Sequence, residues 1–151
     1  MHKILFICYG NICRSPMAEF LLKDMVKKRG LAAAFAIASA ATSREEIGNP
    51  VHYGTRNKLA QLGISVSGKH AVQVTKRDYE YYDLLLVMDS NNLHNLRRII
   101  GEDTQHKVHL LLDFTQHKGE SIADPWYTGD FDATYNDIMA GLEGLLAYLG
   151  Y

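Results

Sequence analysis

Residues 5–16 read LFICYGNICRSP, an apolar run that ends in a thiol and then curls. Gly10 and Asn11 follow Cys8 closely, and Gly and Asn are the residue types that most readily take positive φ. In an open α/β sheet, ligands sit at the carboxyl ends of strands, where a loop leads into a helix N-terminus with free N–H groups and a positive dipole end. A loop from Cys8 through Tyr9, Gly10, Asn11, Ile12 and Cys13 to Ser15 therefore offers a row of backbone N–H groups to an anion. Arg14 adds a planar fork that can grip two oxygens of a tetrahedral phosphate. The same surroundings favour a thiolate, so Cys8 reads as a nucleophile beneath a bound phosphate. A buried cysteine followed six positions later by a surface arginine would show the same spacing, so a second signal is needed.

Residues 123–132, ADPWYTGDFD, supply it. A phosphate ester leaves as an alkoxide or phenoxide, and Asp124 can protonate it, with Pro125 fixing the backbone that presents the acid. Trp126 and Tyr127 then wall the leaving group. Taken alone the segment reads as an Asp-Pro turn with two aromatics folded inward, and it gains weight only beside the cysteine loop.

Short apolar runs alternate with amphipathic stretches. Strands are predicted at 3–8, 35–39, 83–88 and 107–112, and helices at 15–30, 49–63, 90–101 and 131–149, with a short turn or helix after Thr75. Ser15-Pro16 and Asn49-Pro50 fit an N-cap followed by an N1 proline, while Gly30, Gly63 and Gly101 fit helix stops. Runs that are apolar throughout imply a sheet buried on both faces, and helices between them imply parallel, right-handed crossovers. The expected fold is a doubly wound α/β sandwich with a phosphate-binding loop after the first strand, and a cluster of tyrosines at 79–82 packs one of its faces inward.

The chain of 151 residues suits one domain, 1–151. A formal net charge of −1 leaves no basic field for nucleic acid or an anionic membrane, so an anion site has to be local. The longest uncharged stretch, residues 30–43, falls short of the ~20 apolar residues that span a bilayer. No secretory signal is read at the N-terminus, and the expected compartment is the cytoplasm, with export lacking a signal peptide left open. Two cysteines five residues apart form no disulfide framework and no Cys-x-x-Cys site. His106 and His109 lack a third ligand in the sequence pattern, and no metal is expected.

CYGNICRSP and DPWY together resemble low-molecular-weight protein tyrosine phosphatases, and IASAAT, GNP, QVT and MDSNNL fall in that family's order between them. The resemblance runs essentially end to end. It implies a four-stranded parallel sheet with helices on both faces, and hydrolysis of phosphotyrosine in proteins through a cysteinyl-phosphate intermediate, with no metal or other cofactor. It makes Cys8 the nucleophile, Arg14 the phosphate clamp and Asp124 the general acid. Ser15 becomes the hydroxyl beside the thiolate, and Asn11 with Ser39 the pair that holds the loop in shape. Three departures stand out. Glu45 occupies a substrate-side position that is aromatic in some relatives, and Trp126 replaces the usual Tyr. Lys69, with His70 next to it, stands where many relatives have a loop-bracing His, so a His-mediated brace is not expected.

The implied partners are phosphotyrosine-containing proteins, met by a monomer. Two rival readings share the pattern: an arsenate reductase of the same fold, and a silent phosphate-binding module. The resemblance implies that thiol-coupled arsenate reduction needs further cysteines, and none follows Cys13. A silent module would be expected to lose one of Cys8, Arg14 and Asp124. Cys13 itself reads either as a resolving thiol that protects Cys8 from over-oxidation or as a small residue packed under the loop.

Overall fold

The computed structural model describes all residues, Met1–Tyr151. Four strands, β1 (His2–Cys8), β2 (Phe35–Ala41), β3 (Leu84–Val87) and β4 (Val108–Leu110), form one parallel sheet in the order β2-β1-β3-β4. The register pairs Cys8 with Ala41 across β1 and β2, and Ile7 with Val87 across β1 and β3. Between and after the strands run α1 (Arg14–Lys28), α2 (Tyr53–Ala60), α3 (Lys76–Tyr81), α4 (Ser90–Ile100), α5 (Pro125–Thr128) and α6 (Phe131–Tyr148).

The period-two geometry of β1 explains its unbroken apolar sequence. Ile4, Phe6 and Cys8 face a core built with Met17 and Leu22 of α1 and Ile138, Leu142 and Leu145 of α6. Leu5 and Ile7 face a second core built with Tyr79 of α3 and Leu96 of α4. Each of these strand side chains is almost wholly withdrawn from water, worth ~1.5–3 kcal/mol for a large aliphatic or Phe side chain. Because β2 and β3 flank β1 on opposite sides, the crossovers diverge there, and the loops leaving β1 and β3 open a crevice at the carboxyl edge.

Three local expectations are corrected. Helix α1 begins at Arg14 rather than after a Ser15 cap, because the Ser15 hydroxyl is engaged with Cys8 and Asn11. Helix α2 begins at Tyr53, capped by the ring of His52, while the Asn49 side chain bonds Glu46 instead. The last strand stops at Leu110 and Leu111–Phe114 coils into a 3-10 turn, with Asp113 accepting from the Leu110 N–H. No helix is long and apolar enough to cross a membrane.

The 79–82 tyrosines lie where a capped surface turn was expected: Thr75 and Asp78 form a capping box and Tyr79 is buried. The Tyr79 hydroxyl donates to Asp103, which also accepts from the Lys107 and Val108 N–H groups. Burial would raise the Asp103 carboxyl, but those three donors outweigh it and hold it below the ordinary carboxylate range. A depressed carboxyl contributes stability that is whole above its unfolded value and is lost as pH falls through the folded one. Asp103→Ala is therefore expected to cost ~1–3 kcal/mol at neutral pH, read by urea unfolding, and to narrow the gap from the native protein on the acid side.

Candidate active site

Cys8 ends β1, and the chain then wraps upward into α1 with Asn11 at φ 59°, a left-handed conformation. A chain of hydrogen bonds holds Asn11 there. Its Nδ2 donates to Ser15 Oγ at 2.8 Å and to Ser39 Oγ at 2.9 Å, and its Oδ1 accepts from the Val72 N–H at 3.2 Å. Ser39 Oγ–H donates in turn to Glu19 Oε1 at 2.5 Å. These bonds run from Asn11 Nδ2 to both hydroxyls and from Ser39 onward to Glu19. With Asn11 occupying a lone pair of Ser15 Oγ, the Ser15 proton is free for Cys8 Sγ 3.0 Å away, and the Asn11 N–H approaches the same sulfur at 3.3 Å. With the Ser15 proton turned to Cys8, two donors converge on the sulfur, an arrangement that suits a negative charge there.

Glu19 anchors the far end of this chain from inside the protein. It is almost fully buried, takes Lys23 Nζ on Oε2 at 2.6 Å, and has Lys69 Nζ 3.7 Å from Oε1. Lys69 also donates to the Ser39 carbonyl at 2.9 Å. Burial pushes the Lys69 ammonium below its ordinary range, and Glu19 pulls it back up. Lys69, not His70, therefore braces the Ser39 strand; the His70 ring turns outward onto the Gly68 carbonyl.

Arg14 is buried to 2% exposure and points across the mouth of the loop. Its Nη1 donates to Asp89 Oδ2 at 2.7 Å and to the Ile122 carbonyl at 2.8 Å, while Nη2 reaches Asp124 Oδ2 at 3.4 Å. Asp89 and Asp124 are both helix N-caps, of α4 and α5, so each carboxylate is fixed by backbone N–H groups as well as by the arginine. The other oxygen of Asp124 accepts from the Trp126 N–H at 3.0 Å.

These groups surround a cavity of about 120 Å³ with Cys8, Cys13, Arg14 and Asp124 on its lining. Tyr9, Gly10, Ile12, Glu45, Trp126 and Tyr127 line the rest, so ten of the residues singled out in the sequence meet there. Asn11, Ser15 and Ser39 do not line it; they lie behind the loop and act on it through hydrogen bonds. Trp126 and Tyr127 stand up at the rim, 57% and 84% exposed. Glu45 beside the Tyr9 hydroxyl holds that phenol above its ordinary range. Burial, with the Cys8 charge adding to it, pushes the Cys13 thiol up to about 12.

A family model for low molecular weight phosphotyrosine protein phosphatases matches residues 3–150. The chain belongs to that family. It is 39% identical over 148 residues to the low molecular weight protein-tyrosine-phosphatase YfkJ of Bacillus subtilis, covering 97% of this chain and 95% of that one. The crystal structure of YfkJ superposes with a TM-score of 0.92 over 99% of this chain and 94% of its own. The low molecular weight phosphotyrosine protein phosphatase of Mus musculus is likewise 39% identical over 148 residues, covering 95% of this chain and 92% of its own.

Within this phosphatase site, four contributors escaped the sequence reading. Asp89 sits at the carboxyl end of β3 and Glu46 beside Glu45, positions that the edge rule and the loop itself made visible. Glu19 reads in sequence as an ordinary polar residue of an amphipathic helix. His52 donates its N–H to the Ile12 carbonyl at 2.9 Å, stacks its ring on Phe131 at 5.6 Å and meets Trp126 edge-on at 5.4 Å. It thereby ties the cysteine loop to the segment that carries Asp124. Phe131 lies so close over Gly54 that a Cβ there would overlap the ring.

Proposed function

We propose that the protein hydrolyses phosphotyrosine in proteins, and small aryl phosphates, in two steps on Cys8, acting as a cytoplasmic monomer. The observation that carries this reading is one cavity whose lining unites a hydrogen-bonded thiol, a buried guanidinium and a capped carboxyl group. The phosphate enters among the loop N–H groups and takes over Arg14, whose fork spans two of its oxygens as negative charge builds. Cys8 Sγ forms a bond to phosphorus, the bond to the phenolic oxygen breaks, and Asp124 passes its proton to that oxygen. Water then attacks the cysteinyl phosphate with Asp124 accepting its proton, and phosphate departs as the S–P bond breaks. Tyr9, Trp126 and Tyr127 offer aromatic surface to a phenyl ring, and Ile12 an apolar one. Glu45 and Glu46 make the rim acidic, which suits proteins with basic groups near the phosphotyrosine.

The test is steady-state hydrolysis of an aryl phosphate and of phosphotyrosine and phosphoserine peptides, with and without chelator. Turnover of the aryl phosphate and phosphotyrosine peptides, indifferent to chelator, is expected. Loss to chelator overturns the metal-free mechanism, and faster phosphoserine turnover overturns the substrate. Arsenate reduction is disfavoured by the absence of any cysteine beyond the two in this loop.

Glu19 gives the loop its hydrogen-bond direction, since an ionised carboxylate only accepts. Glu19→Gln keeps the shape but can present an N–H to Ser39, turning its proton back toward Asn11. A fall in kcat/KM of roughly 10- to 100-fold is expected with an aryl phosphate, and a change within about twofold would rule out this role.

Cys13 lies on the same cavity as Cys8, and both thiols are free. Peroxide would convert Cys8 to the sulfenic acid with loss of water, and the Cys13 thiol would condense with it, losing a second water and forming a disulfide. Burial, the larger cause of the elevated Cys13 thiol, makes it a slow partner. Peroxide-treated protein should yield the 4–14 peptide ILFICYGNICR lighter by two hydrogens. Thiol should restore native activity but not that of Cys13→Ser; equal recovery in both means that Cys13 only packs.

A further inference from the structure

The arginine and acid of the site face a second space. An open cleft of about 380 Å³ adjoins the Cys8 cavity, and Tyr9, Arg14, Asp124 and Tyr127 line both. What the cleft adds is the first turns of α4, above all Asn91 and Asn95. Four residues apart, these two side chains lie one above the other on a single face of the helix.

Their chemistry is unspent. The cap of α4 uses Asp89 and Asn92, and the remaining side-chain bond within the helix joins Arg98 to His94. The carboxamides of Asn91 and Asn95 have no partner in the chain. The charged groups of the cleft are by contrast committed: Asp89 and Asp124 both hold Arg14. A second phosphate is unwelcome beside those carboxylates, and no free cation invites an acidic ligand. Two neutral carboxamides remain, each with N–H donors and a C=O acceptor, the same set that a peptide bond presents.

The spacing fits as well. Four residues of helix advance about 6 Å, and groups on one side of an extended peptide repeat about every 6.6 Å. We infer that this cleft receives the main chain flanking the phosphotyrosine, with Asn91 and Asn95 hydrogen-bonding successive peptide groups on one side of an extended segment. The inference rests on the phosphotyrosine reading of the Cys8 cavity and adds the protein part of the substrate to it. Recognition of this kind reads backbone rather than side chains, so it selects extended, accessible phosphorylated segments with little regard for their sequence. Tyr9 and Tyr127, shared by both spaces, mark where the phosphotyrosine ring leaves the peptide.

The experiment compares kcat/KM for a phosphotyrosine peptide carrying four residues on each side with kcat/KM for an aryl phosphate, which has no flanking chain. In Asn91→Ala/Asn95→Ala the ratio of peptide to aryl phosphate should fall by about tenfold or more, as expected for two lost hydrogen bonds. Alanine at these helical positions supports the helix, so folding is preserved. N-methylation of flanking peptide groups, moved one position at a time, should lower the same ratio in the native protein at one flank and leave it unaltered in the double variant. An unchanged ratio in the double variant overturns the inference. So does an equal fall for both substrates, which would mean that α4 acts through Asp89 and Arg14. Failure of the phosphotyrosine reading appears separately, as native protein that turns over neither substrate.

Discussion

Cys8→Ser should be folded and inert. The side chain is buried at the end of β1, its surroundings are set by Asn11 and Ser15, and serine is slightly smaller while accepting the same two hydrogen bonds. What changes is chemical: a serine hydroxyl is a far weaker acid and a poorer nucleophile toward phosphorus than a thiol. A loss on the order of 10⁵-fold or more in kcat is expected for an aryl phosphate, the scale seen when a catalytic nucleophile is removed. Phosphate should still bind, because Arg14 and the loop N–H groups are untouched, and isothermal calorimetry with inorganic phosphate reads that directly. Turnover within about tenfold of the native protein would take the nucleophile away from Cys8.

Asp124→Asn separates leaving groups. Asparagine retains the N-cap of α5 and the bond to the Trp126 N–H, so the segment keeps its shape and only the transferable proton disappears. For phosphotyrosine, whose phenolate is a poor leaving group, kcat should fall by roughly 10²–10⁴-fold. For an aryl ester with a strongly acidic phenol, departure needs little help and the loss should be far smaller. A plot of log kcat against leaving-group acidity should accordingly steepen in the variant. Parallel lines would remove Asp124 from proton transfer and leave it as a partner of Arg14 alone.

The strands and their parallel arrangement were legible because each is apolar throughout, and only a sheet buried on both faces asks for that; their order β2-β1-β3-β4 was not. Local signals failed where a side chain had a better partner elsewhere. Ser15 carries the signature of a helix cap, yet its hydroxyl spends its bonds on Cys8 and Asn11. Asn49 is drawn to Glu46, and the His52 ring, a poor cap by type, takes its place. In the site, Cys8, Arg14 and the Asp124 segment could be read because each sits in a short motif with a local mechanism. Glu19 and the bracing role of Lys69 could not, since they arise only when α1, the Ser39 strand and the 69–72 segment converge on one loop. Lys69 marks the limit most clearly: the sequence speaks only against a His-mediated brace, and the ammonium arm supplies another through the Ser39 carbonyl.

Arg14, with Asp89 at 2.7 Å and Asp124 at 3.4 Å, makes the resting pocket a small ion exchanger whose counterions are built into the wall. A substrate dianion enters by displacement rather than by filling a bare positive hole, and the looser of the two carboxylates is the one it displaces first. In the proposed two-step reaction, inorganic phosphate freed from Cys8 would face the same two competitors, tethered at a local concentration that a dissolved anion rarely matches. Under that reaction the wall would restore itself after each cycle and help to expel its own product.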